Sequence, residues 1–291
     1  LVPPRIPTPA DWDAALKPSI LKGIHEAQGI QEWTDDRFSE LRATYHAMCS
    51  RIDHQLGLVI DALRSRGIYD ETALFFFSDH GDFTGDYGLV EKTQNTFEDV
   101  LTKVPLVVKP PRHDASGAPV PVVPGVRNTI AELVDFPATV YELAGIEPGY
   151  WHFGRSLGPS LADPALVHRD EAHCEGGRLV GEVAAMEKSS AERFADPTES
   201  LYYPRIRLQT SDEHVWHTKA TMVRTRRYKY VRRLYESDEL YDLETDPGEE
   251  HNRINDPALG EVLVGLRERM LRWYQETADV VPFELDARNF G

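Results

Sequence analysis

Cationic residues are scarce in this chain. Across 291 residues, Lys and Arg total 32 against 48 Asp and Glu, a net charge of −16 with His neutral. Such an excess repels phosphate backbones and argues against non-specific nucleic-acid binding. It also repels a sulfated polymer at long range, so any anion site has to be basic locally. Cysteine is scarcer still. Cys49 and Cys174 are the whole complement, too few for a disulfide framework and silent on the redox compartment. The sequence has no apolar run of about eighteen residues, the length a membrane-spanning helix needs. No signal peptide is visible after Leu1. The EF-hand spacing D-x-D-x-D-G is absent, and there is no internal repeat.

What the chain does contain centres on Ala73 to Lys109. Ala73–Phe77 is an apolar run with three consecutive aromatics. It predicts a strand buried on both faces, as in a parallel sheet flanked by helices. The run stops in Ser78-Asp79-His80-Gly81, which puts polar side chains at a strand's carboxyl end, where ligands bind in open α/β sheets. A carboxylate and an imidazole are both good metal donors. A bare Asp-His pair also reads as a turn cap beside a hydrogen-bonded His. Gly81, Gly85 and Gly88 keep the following backbone permissive, so the loop can fold back and return Lys92 towards His80. Thr102–Lys109 predicts the next strand.

The run Ser-Asp-His-Gly-Asp, then Gly85-Asp86-Tyr87-Gly88-Leu89, Lys92, Phe97-Glu98 and Val104-Pro105-Leu106 resembles the sulfatase family of the alkaline phosphatase superfamily. With His after the Asp, it is most similar to the choline-sulfatase and phosphonate-monoester-hydrolase branches and some glycan sulfatases. The resemblance implies Asp79 and His80 as ligands of a divalent metal, usually calcium; the nitrogen donor also admits manganese or zinc. It implies Lys92 as the catalytic cation on the sulfate oxygens. One departure is Lys103, where the family usually has Arg: the charge stays but the planar fork is lost.

The rest of the chain fits around this stretch. Leu1–Pro18 reads as an extended, proline-rich surface arm or connection. Asp36–Arg66 predicts a long helix, with Phe38, Leu41, Tyr45, Met48, Ile52, Leu56, Val59 and Leu63 on one face. Thr34 or Asp35 would cap it and Gly67 would stop it. Thr129 and Glu132 suggest a capping box. Asp135 would cap a second helical segment ending at Gly145, and His152–Asp163 reads as a loop. Beyond Val167 come four candidate strands, Leu179–Met186, Ala220–Arg224, Tyr228–Leu234 and Glu239–Leu243. A helix opens at Asp256-Pro257. Together they predict a small antiparallel sheet packed by a helix, again similar to the sulfatase C-terminal subdomain.

Two features compete for function. Cys174-Glu175-Gly176-Gly177-Arg178 has the Cys and Arg spacing of the Cys-x-Pro-x-Arg motif that the family converts to formylglycine. It has Gly in place of Pro and follows the metal strand, so it reads as a turn entering a strand. Trp216-His217-Thr218-Lys219 offers an imidazole, a cation and an indole suited to a sulfated or carboxylated sugar. The basic block Arg224, Arg226, Arg227, Lys229, Arg232 and Arg233 reads as a solvated or salt-bridged surface.

The expected architecture is therefore α/β, an alkaline-phosphatase-like mixed sheet flanked by helices. Residues 1–165 would form the C-terminal part of the main domain, and residues 166–291 a four-stranded antiparallel subdomain with its helix. The expected function is removal of sulfate from a small-molecule or glycan sulfate ester. Asp79 and His80 would hold the metal, Lys92 would act on the sulfate, and His217 and Lys219 would bind substrate. Formylglycine would come from upstream, so residues 1–291 alone are expected to be inactive. The cellular setting is left open, with the resemblance favouring a periplasmic or extracellular one. The alternatives are a phosphate or phosphonate ester hydrolase on the same scaffold, or a non-catalytic sugar-binding remnant.

Overall fold

The computed structural model describes residues 9–27, 29–180 and 215–280. In chain order its helices and strands are α1 (Pro9–Ala14), α2 (Ser19–Ala27), α3 (Asp35–Ser65), β1 (Leu74–Phe77), α4 (Asp99–Thr102), β2 (Leu106–Lys109), α5 (Asp135–Ala144), α6 (Gly158–Ala162), β3 (Glu171–Gly176), β4 (Ala220–Thr225), β5 (Tyr228–Arg233), β6 (Glu239–Asp242) and α7 (Gly260–Thr277). They group into two compact bodies. Of the described residues, one takes in those up to His54, in His80–Val104 and in His173–Leu263; the other takes in those in Gln55–Asp79, in Pro105–Ala172 and from Val264 on.

In the first body, Trp12, Ile20, Leu21, Ile24 and Ile30 form a core with Phe83, Tyr87, Leu89 and Leu101. The expected surface arm is thus corrected over its described part. Pro9–Ala14 is helical, and Trp12 is buried because its indole joins this core. The predicted long helix is present. Thr34 caps it, its Oγ1 accepting from the Arg37 amide at 3.4 Å, and Gly67 ends it with a left-handed φ of 68°. Of the predicted apolar face, Phe38 is buried, whereas Met48, Ile52 and Val59 are about half exposed.

The C-terminal sheet runs β3-β4-β5-β6. β4 and β5 pair antiparallel with Ala220 opposite Arg233, and β5 and β6 with Tyr228 opposite Asp242. Three strands fall where the sequence predicts them. The fourth differs. Most of Leu179–Met186 lies outside the described residues, and the sheet's first strand is β3, which contains Cys174. Cys174 is therefore in a strand, not a turn, and it packs against the apolar cluster of Phe97, Ala220, Met222 and Val231. The strand ends where Gly176 lies on the Gln94 carbonyl, so close that a Cβ would overlap it.

In the second body β1 and β2 are antiparallel, with Leu74 opposite Lys109 and Phe77 opposite Leu106. This corrects the expectation of a parallel strand buried on both faces: Leu74, Phe75 and Phe76 are half-buried and Phe77 is exposed, and an apolar run by itself does not report strand direction. Thr102 closes α4, and β2 starts only at Leu106, after Pro105. Phe75 and Phe77, two residues apart and so on one face, each meet Phe136 of α5 at a ring-centre distance of 4.9 Å. Gly145 ends α5 with a φ of 61°. α6 interrupts the predicted loop His152–Asp163.

The predicted capping box at Thr129 and Glu132 does not form. Thr129 Oγ1 accepts instead from the His168 amide at 2.8 Å, and Glu132 pairs with Arg169 at 2.9 Å. Asp135 organises this region. It is fully buried and accepts from the amides of Glu132 (2.9 Å) and Arg155 (2.8 Å), from Arg169 Nε (2.9 Å) and from Arg169 Nη2. His168 Nε2 lies 3.0 Å away. Burial alone would raise the Asp135 pKa, but the hydrogen bonds from Arg169 and His168 outweigh it and hold the carboxyl below its ordinary range. The Asp135→Ala variant is expected to lose about 3–5 kcal/mol, the scale of breaking a buried ion pair, measured by urea unfolding. A depressed folded-state pKa adds stability above the unfolded value of 3.8, which is lost as the pH falls below it. Asp135→Asn should therefore flatten the acid-side fall in stability.

Candidate active site

Within the segment from Ser78 to Val104, the turn after His80 is shaped by its own glycines. Gly85 (φ 100°) and Gly88 (φ 62°) take left-handed backbone and close a tight turn. In it the Thr84 and Gly85 amides donate to the Val90 and Leu89 carbonyls at 3.1 and 2.7 Å. Phe83, Tyr87 and Leu89 point into the core, and the Tyr87 hydroxyl donates to the Gly248 carbonyl. Arg42 pairs with Asp86 at 3.0 Å.

Asp79 and His80 follow β1 and both are exposed. The His80 Nδ1 lies 3.0 Å from the Gly81 carbonyl oxygen. The pair offers an oxygen and a nitrogen donor on consecutive residues, which fits part of a divalent-metal shell. Among the described residues no three His, Cys, Asp or Glu side chains form a metal-holding group, so this chain's described residues offer a partial donor set. The turn folds Lys92 back on this segment: its amide donates to Asp82 Oδ1 at 3.1 Å, two residues beyond His80. Lys92 is half-buried.

His217 and Lys219 separate in environment. His217 is buried, and its carbonyl accepts from the Arg178 amide at 2.7 Å. Lys219 is exposed. Their loop meets the chain just after Lys92: Asn95, fully buried, donates through Nδ2 to the carbonyls of Trp216 (2.8 Å) and Thr218 (3.0 Å).

Beneath Asn95 lies a charge network that motif reading misses. Lys17 is 3.1 Å from Glu98 and donates to the Tyr241 hydroxyl at 2.9 Å. Lys229 reaches Glu249 (2.6 Å), Asp99 (2.8 Å) and the Phe97 carbonyl (2.6 Å). Arg224 holds Asp99 through two nitrogens, at 3.0 and 2.8 Å. Arg233 holds Glu239 at 2.7 Å and the Asn95 carbonyl at 2.9 Å. Lys229 and Arg233 are fully buried, which corrects the expectation of a surface for those two members of the basic block. They are inside because each charge meets a carboxylate. Burial tends to raise the Glu98 and Asp99 pKa values, but Lys17 for the first and Arg224 with Lys229 for the second hold them below the ordinary range. At Glu249 burial prevails over Lys229 and the pKa is raised. A signal was available: in an acidic chain, a cluster of cations on strands calls for acidic partners, and Glu98-Asp99 is the adjacent pair beside the motif.

Residues 10–146, which contain Asp79, His80 and Lys92, match the sulfatase family model. They are a sulfatase-family segment. The chain is similar to choline-sulfatase of Rhizobium meliloti, with 27% identity over 88% of this chain and 42% of that protein. It is also similar to the multifunctional alkaline phosphatase superfamily protein PehA of Trinickia caryophylli, at 27% over 88% of this chain and 45% of that one. Among solved structures, the phosphonate monoester hydrolase of Agrobacterium radiobacter superposes with a TM-score of 0.63 at 27% identity, covering 84% of this chain and 43% of that one. The chain spans less than half the length of these relatives. The family implies a metal and a formylglycine in general. Among the described residues no helix is long and apolar enough to cross a membrane.

The Asn95→Ala variant removes the Asn95 donor from the Trp216 and Thr218 carbonyls, the second of these bonds being buried. It should cost about 1–3 kcal/mol per lost bond, read by chemical denaturation. The exposed variant Lys219→Ala should be close to neutral in the same measurement.

Proposed function

We propose that this protein is a sulfuric ester hydrolase acting on a small-molecule or glycan sulfate ester. The reading rests on one observation, the sulfatase match across residues 10–146 with Asp79, His80 and Lys92 inside it. Asp79 and His80 would hold a divalent metal, calcium by family preference, which when bound stabilises negative charge on sulfate oxygens. Lys92 would place a second positive charge on the same oxygens. A fixed cation counts for more in a water-poor cleft than in bulk water, because less solvent screens its attraction for those oxygens. Lys219, the exposed member of its pair, would meet an anionic group of the substrate, with His217 behind it. Residues 1–291 contain no Cys-x-Pro-x-Arg sequence, so the nucleophile is assigned to a preceding segment.

The second reading is a phosphate or phosphonate ester hydrolase. The likeness to phosphonate monoester hydrolase at 27% identity favours it specifically. Parallel assays of the longer protein on aryl sulfates and on phosphonate monoesters separate the two readings, and elemental analysis of that protein identifies the metal.

In that longer protein Lys92→Ala should lower turnover by about two orders of magnitude or more, the scale of losing one oxyanion donor, with an unchanged circular dichroism spectrum. Near-normal turnover would remove Lys92 from the site. A polypeptide limited to residues 1–291 should not hydrolyse aryl sulfates; robust hydrolysis would return Cys174 to consideration as nucleophile.

A further inference from the structure

The turn that carries His80 is seated on α4. The Gly81 amide donates to the Leu101 carbonyl at 2.8 Å, and a Cβ at Gly81 would overlap the Val100 carbonyl oxygen. Only glycine allows that approach. The support itself is a helix of four residues, far too short to hold its own conformation. What holds it is the charge on its first residue. The Asp99 carboxylate receives Arg224 Nε and Nη2 from β4 at 3.0 and 2.8 Å, and Lys229 Nζ from β5 at 2.8 Å. The Asp99 amide donates to Glu249 Oε2 at 2.5 Å. Lys229 also binds Glu249 and the Phe97 carbonyl, so both sides of Asp99 are tied to the C-terminal sheet and the turn after it.

We propose that Asp99 is a positioning residue, through which the C-terminal sheet sets the place of His80. The path is short: β4 and β5 to the Asp99 carboxylate, Asp99 two residues along α4 to the Leu101 carbonyl, and that carbonyl to the Gly81 amide next to His80. Apolar contact would also hold α4 down, but it is non-directional. A forked Arg–carboxylate pair with a second cation fixes orientation as well as distance. The proposal rests on reading His80 as a metal ligand.

The test uses the longer protein, Mn2+ as the probe metal, and two readouts: Mn2+ affinity by electron paramagnetic resonance and amide hydrogen exchange over residues 78–84 and β5. Asp99→Asn should weaken Mn2+ binding by about ten-fold or more, the scale for residues that orient a ligand. It should speed exchange at Gly81 by a similar factor while β5 amides keep their protection. Arg224→Gln should shift both readouts in the same direction by a smaller factor, and it decides the matter if Asp99→Asn fails to fold. A uniform rise in exchange through β5 with unchanged Mn2+ affinity would show a merely structural role and overturn the proposal. So would a folded variant with wild-type values for both readouts, or faster Gly81 exchange at wild-type affinity. His80→Ala separates the two ideas. Wild-type Mn2+ affinity in that variant overturns the metal reading, and Gly81 exchange in Asp99→Asn then decides by itself whether Asp99 holds the His80 turn.

Discussion

A lysine ammonium with no solvent exposure sets the terms for the first body. Lys229, the second residue of β5, stands between Asp99 and Glu249, with the Phe97 carbonyl as a further acceptor. Burying a charge is costly, and a pair replaced by well-packed apolar groups is often no less stable. The arrangement is thus better understood as fixing geometry than as adding stability. Once Lys229 is inside, Asp99 has to come to it, and the segment from Asn95 to Leu101 follows. Lys17, brought in from the chain near α1, gives Glu98 the same treatment. The segment between Lys92 and α4 is therefore held by charges from two distant parts of the sequence.

The second body repeats the device with another set of residues. Asp135 begins α5, and Arg169 and His168 reach it from just before β3. The carboxylate thereby joins a helix start, the loop at Arg155 and the approach to the sheet. In both bodies an acid at the first turn of a helix lies close to the positive end of the helix dipole. It is also the anchor to which arginines from a distant segment are drawn. Such anchors are specific because a guanidinium fork satisfies a carboxylate in few orientations.

Periodicity in α3 shows where a pattern stops being informative. The three-to-four spacing correctly predicts the helix and its ends, because hydrogen bonding and capping are local. It also says which residues share a face. It does not say what that face meets: Phe38 is covered, while Met48, Ile52 and Val59 remain about half exposed. The run at Ala73–Phe77 is similar. Its apolarity predicts a strand, and alternation puts Phe75 and Phe77 together on Phe136. Strand direction depends on how the chain returns, and here it returns antiparallel.

The sequence by itself determined the local elements: the capped long helix, the β4–β6 strands, the glycine turn after His80, and the motif residues Asp79, His80 and Lys92 with their resemblance to the sulfatases. Each depends on neighbours within a few residues, where spacing and backbone permissiveness act directly. Only the tertiary structure decided that Lys229 and Arg233 lie inside, that Trp12 belongs to a core, and that Asn95 and Asp99 tie the loop to the sheet. Apart from Trp12, whose core partners lie nearer, those facts join residues more than a hundred positions apart. A charged side chain reads as solvated until its partner is known, because burial of a charge is set by the counter-charge it meets and not by its sequence neighbours.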